Sequence, residues 1–66
     1  MATYIVRHGY GLFGESYDVG KYHIEEDAMS HFERLSERLG SDESAEVRKY
    51  DNIGEHLIAH KNTFKA

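Results

Sequence analysis

The chain has 66 residues, no cysteine, no proline, and twelve acidic against eight basic side chains, for a formal net charge of −4. A chain this short reads as one domain near the lower limit for independent folding, and without cysteine neither a disulfide nor a thiolate-held metal can staple it. The charge balance argues against phosphate-backbone binding as the main activity, and no run of about 18 apolar residues offers a membrane span.

Residues 2–8 are β-branched and aromatic and predict a strand, with Tyr4, Val6 and His8 on one face and Thr3, Ile5 and Arg7 on the other. Residues 9–14 form a glycine-rich connection carrying Tyr10, Leu12 and Phe13. Residues 15–23 predict a second strand, interrupted by Gly20, which points to a bulge or bend. Three large side chains on a glycine loop suit an interaction anchor; folding back of Leu12 and Phe13 to enlarge a small core is the open alternative.

The stretch from Ile24 to Gly40 is the strongest signal. Ala28, Phe32, Leu35 and Leu39 make one apolar stripe at helical spacing, and Glu26, Ser30, Glu33 and Glu37 occupy the opposite face. Glu25, Glu26 and Asp27 complement the positive end of the helix dipole, and Arg34 and Arg38 the negative end. Gly40 suits a left-handed C-cap, whereas no good N-cap side chain precedes Glu25.

Residues 45–50 alternate as a strand, Asp51-Asn52-Ile53-Gly54 suits a turn, and residues 55–61 predict a returning strand. The expected register sets Val47 opposite Ala59 and Lys49 opposite Leu57 under the helix. Tyr50 then meets His56, Arg48 meets Ile58 and Glu46 meets His60 on an open face. A second helix over 53–64, with Ile53, Leu57 and Phe64 on one side, is the alternative. The fold class is therefore α+β: β-β-α-β-β, a four-stranded, mostly antiparallel sheet with one helix packed on one face. Strand order 2-1-3-4 would keep all neighbours antiparallel.

Several motifs invite chemistry and fail on context. Ile5-Val6-Arg7-His8-Gly9 resembles the phosphohistidine motif of the histidine phosphatase family, in which the His is the nucleophile and the Arg binds phosphate. That family needs a second Arg, a second His and an acid from distant segments of a much longer chain, and Tyr10 departs from its pattern. The bland reading, two ordinary strand-end residues, is preferred. Gly9, Gly11 and Gly14 form G-x-G-x-x-G, but an acidic strand follows where a dinucleotide site needs a helix. His56 and His60 stand four apart; on a strand they are about 13 Å apart, too far to share an ion. No serine sits in a nucleophile elbow. The expectation is no catalytic residue, no metal and no cofactor.

Charge is unevenly placed: +1 over residues 1–14, −7 over 15–46 and +2 over 47–66. Glu25, Glu26, Glu33 and Glu37, with Asp42 and Glu43, outline an acidic strip along the helix. A solvated face is the ordinary explanation of such a strip; the functional one is a surface for a basic partner. A second candidate surface joins the loop to the open sheet face through Tyr10, Phe13, Arg48, Tyr50 and His56.

A very short cysteine-free chain of β-β-α-β-β order with a Glu-rich helix start resembles small phage-encoded proteins, among them anti-CRISPR proteins and other inhibitors of host machinery. The resemblance implies a small non-enzymatic protein-binding module that sterically blocks a host protein complex in the host cytoplasm. It carries over no functional residue. A self-associating domain, a homodimer in particular, is the alternative, since so small a core leaves regular packing or association to stabilise it. A single-stranded nucleic-acid binder using Arg48, Tyr50 and His56 is disfavoured by net charge. The chain, starting at Met1, reads as a complete small gene product.

Overall fold

The computed structural model describes residues 1–11 and 14–64. In chain order it contains β1 (Thr3–Tyr10), β2 (Glu15–Tyr22), α1 (Glu25–Glu37), β3 (Glu43–Tyr50) and β4 (Glu55–Asn62). The strands form one antiparallel sheet in the order β2-β1-β3-β4. The expected fold class and strand order are therefore observed. Two hairpins are joined by α1, which carries the chain from the edge strand β2 across the sheet to β3.

Alternation along β1 and β3 builds the core. Tyr4, Val6, Ala45 and Val47 are buried on the helix side, and Val6 lies directly opposite Val47. Ala28 is fully buried beneath α1, and its small side chain lets the helix sit close to those valines. Met29, Phe32 and Leu35 pack around the same cluster, as their helical spacing requires. Ile24 precedes the helix in an extended conformation with no side-chain cap.

Gly40 is not the helix C-cap. The helix ends at Glu37, Arg38 caps it, and the left-handed residue of this connection is Asp42, at φ 55°. Asp tolerates that region because its short polar side chain can bond locally. Leu39 consequently lies beyond the helix rather than in its stripe.

The strand reading of the C-terminal segment holds, and the second helix over 53–64 does not form. Asp51 builds the turn as expected: its Oδ1 accepts from the Ile53 and Gly54 amides at 2.8 and 3.0 Å, and its own N–H donates to the Gly54 carbonyl at 3.0 Å. Gly54 has φ 148°, a value that side-chain-bearing residues rarely adopt. These bonds, first the one from Ile53, hold the Asp51 carboxyl below its ordinary pKa.

The register of β4 differs from expectation beyond one point. Val47 does face Ala59 and Glu46 does face His60, but Arg48 faces Leu57, Lys49 faces His56 and Tyr50 faces Glu55. Ile58 is the extra residue of a β-bulge. One inserted residue reverses the in-out parity of everything before it. Leu57 therefore moves to the open face and His56 to the helix side. A second bulge at Val19 interrupts β2, one residue from the glycine that signalled it: Val6 pairs with Gly20 and Arg7 with Asp18. Both edge strands are thus broken near their middles, a recurrent protection against edge-to-edge pairing.

Candidate functional site

The outward face of α1 carries Glu26, Glu33 and Glu37, all exposed, spaced so that they share one line along the helix. Among the described residues, none of them makes an ion pair. Glu25, at the helix start, and Asp42, in the connection, are also exposed. Glu43 does not belong with them. It opens β3, and its Oε1 lies 2.6 Å from His8 Nε2, which turns it towards the sheet. The strip is therefore confined to the helix and its flanks.

The open face of the sheet is laid out differently. Asp18, Arg7, Glu46 and His60 form one row across the four strands; Lys21, Ile5, Arg48 and Leu57 form the next. Arg7 Nε lies 3.0 Å from Asp18 Oδ1 but off the hydrogen-bonding direction, so the pair is ionic without a hydrogen bond. Arg48 Nε bonds Glu46 in a very short contact, and its Nη1 lies 3.6 Å from Glu55 Oε2. The bond to Glu46 raises the Arg48 pKa further, and the neighbouring Glu55 carboxylate raises that of Tyr50. Opposite charges within β3 and on neighbouring strands thus satisfy one another, and Arg7 and Arg48 are both matched by carboxylates.

The structure separates the residues expected to act together on that face. Arg48 and Tyr50 are there. His56 is not: the Ile58 bulge places it on the helix side, opposite Lys49 and 3.5 Å from Asp51. Tyr10, the last residue of β1, lies on the helix side too, its ring 4.2 Å from that of His8 and 5.9 Å from that of Tyr17. Phe13 lies outside the described residues. Arg7 and His8 project to opposite faces of β1, the first towards Asp18 and the second towards Glu43, so they cannot converge on one phosphate. The bulge likewise sends His56 and His60 to opposite faces. Among the described residues no group of three or more His, Asp or Glu is placed to hold a metal ion, and no helix is long and apolar enough to cross a membrane.

No protein-family model, curated protein or solved structure matches this chain. The surfaces themselves therefore carry the functional reading.

One group of side chains was not singled out from the sequence. Tyr22 at the end of β2 and His31 on α1 meet with Tyr22 Oη 2.9 Å from His31 Nδ1 and their rings edge to face. Burial, and then the nearby Arg34 charge, push the His31 pKa below its ordinary value. The available signal was the spacing of His31, Arg34 and Arg38, which follow one flank of the helix between the apolar stripe and the acidic line.

Proposed function

We propose that this chain is a small non-enzymatic protein-binding module, a phage-type inhibitor that docks the acidic outer face of α1 on a basic surface of a host protein complex and blocks it sterically. The observation that carries the reading is the line Glu26, Glu33 and Glu37: three exposed carboxylates without a cationic partner among the described residues. An unneutralised line of like charge on a rigid helix steers a basic partner and sets its orientation. The sheet face offers less, because Arg7 and Arg48 are already matched by Asp18, Glu46 and Glu55. That neutralisation also weakens the case for nucleic acid. The setting consistent with this role is the host cytoplasm.

The test is capture from a bacterial lysate, with and without nuclease, using the wild-type chain and E33K/E37K. The two glutamates are an i, i+4 like-charge pair, so replacing both with lysine leaves helix stability nearly unchanged, and circular dichroism should confirm this. Wild type is expected to retain one dominant protein, and the variant to bind it at least about tenfold more weakly. Equal capture would reject the helix strip. Capture of nucleic acid, with proteins lost on nuclease treatment, would move the assignment to the sheet face.

A specific observation favours a second reading, self-association through β4. Strand β4 is largely uncovered, with Leu57 on the open face 53% exposed, Ile58 at the bulge 37% exposed, and Ile53 83% exposed in the adjoining turn. A homodimer would bury these side chains. Light scattering at high protein concentration should then give twice the monomer mass, and Leu57→Glu should return it to one. A monomer mass for the wild type excludes this reading.

A further inference from the structure

A groove of about 300 Å³ runs between α1 and the edge strand β2, lined by Tyr22, His31, Arg34, Leu35 and Arg38. Its volume stands at the lower end of the range for small-molecule sites. Three features set it apart from the rest of the surface. Arg34 and Arg38 stand one helical turn apart on its wall and make no ion pair among the described residues, in a chain whose net charge is −4. His31 sits beside them with Nδ1 engaged by Tyr22. In the neutral tautomer whose Nδ1 accepts from Tyr22, the ring carries its proton on Nε2 and can donate it to an acceptor. Leu35 and the Tyr22 ring supply apolar wall.

The groove also depends on a glycine. A Cβ at Gly20 would lie 2.5 Å from His31 Nδ1 and 2.8 Å from a Tyr22 ring carbon. Only a bare backbone at this point of β2 lets the imidazole settle over the strand beside the tyrosine. The sequence therefore gives up side-chain packing on an edge strand at the one position where packing would displace the His31–Tyr22 pair.

We propose that this groove binds a phosphomonoester carried on a flat apolar body. Two guanidinium groups match the double negative charge of a phosphomonoester, and their forked donors suit its oxygens. A neutral imidazole adds a donor without further charge. Leu35 and Tyr22 accept the apolar body, and the half-open shape leaves the rest of the ligand in solvent. This site lies on the flank of α1, apart from the line of Glu26, Glu33 and Glu37, so it stands independently of the partner reading above.

The experiment is a titration of the full 15N-labelled chain with phenyl phosphate, followed by amide shifts. Saturable shifts are expected at Gly20, Tyr22, His31, Arg34 and Arg38. R34Q/R38Q should weaken the affinity about tenfold or more while leaving the remaining spectrum folded. Phenol should give no saturable shift, and inorganic phosphate should bind more weakly than phenyl phosphate. Adenosine monophosphate and a phosphotyrosine peptide, titrated in parallel, distinguish a free nucleotide from a modified protein as the source of the phosphate. Absence of saturable shifts with phenyl phosphate would overturn the site. So would unchanged affinity in the double variant. Equal affinity for inorganic and phenyl phosphate would overturn the apolar half of the assignment.

Discussion

Val47→Ala is expected to lower the unfolding free energy by about 2–3 kcal/mol, from two lost methyl groups and the cavity they leave. Val47 has no exposed surface and lies between Val6 on β1 and Ala59 on β4, with α1 above it. Among the described residues Val6 and Val47 are the largest fully buried side chains, so the truncation removes volume from the centre of the core. A domain of this length has roughly 3–10 kcal/mol of stability in total. The truncation should therefore remove a large part of it and lower the melting temperature by roughly 10–20 °C. Urea unfolding followed by circular dichroism measures the change. Leu57→Ala is the control, because half of that side chain is already in water, and it should cost less than about 1 kcal/mol. Equal effects of the two substitutions would mean that the core is not centred on the valine pair.

The second large effect is expected at Gly20. Gly20→Val places a branched side chain where the His31 and Tyr22 rings now lie and should destabilise the fold by about 1–3 kcal/mol, despite valine's preference for strands. The imidazole must swing outward, which breaks its bond to Tyr22 and returns it to solvent. Its pKa should then rise towards the ordinary value of about 6.5, which nuclear magnetic resonance can follow directly. The same pair gives stability a pH dependence of known sign. Folded His31 titrates below its unfolded value because burial and Arg34 disfavour the charged ring. Between the two values the unfolded chain binds more protons, so this contribution is intact above the unfolded pKa and is lost as pH falls through that window. His31→Gln should remove this part of the acid sensitivity. If the variant keeps the wild-type slope between about pH 5 and 7, the linkage lies with other groups.

Both effects arise at points where two segments distant in sequence meet, and that marks the division between what could be read and what could not. Each local pattern that was periodic and had its punctuation proved readable. The stripe Ala28, Phe32 and Leu35 determined the helix and the face it buries, because 3.6-residue periodicity leaves one way to hide those side chains. Alternation in residues 3–8 and 45–50, with turn residues at Asp51–Gly54, determined the hairpins. The short link through one helix then left order β2-β1-β3-β4 as the arrangement with all neighbours antiparallel. The acidic line Glu26, Glu33 and Glu37 was legible for the same reason as the stripe opposite it.

Tertiary structure alone decided the rest. Nothing in Glu55–Asn62 marks Ile58 as a bulge, because a bulge answers the twist and packing of the partner strand rather than local composition. Its effect is nonetheless large: it moves His56 off the open face and brings Leu57 onto it. Glu43 seemed one more acid in a run, until strand pairing set it beside His8, thirty-five residues away. Gly40 suited a C-cap by residue type, yet the chain turned at Asp42 instead. The groove of Tyr22, His31, Arg34 and Arg38 exists only because α1 crosses β2 at Gly20. Periodicity in one segment states which side is buried; the neighbours a side chain acquires depend on register and crossing geometry, which follow from the packing of the whole sheet against the helix.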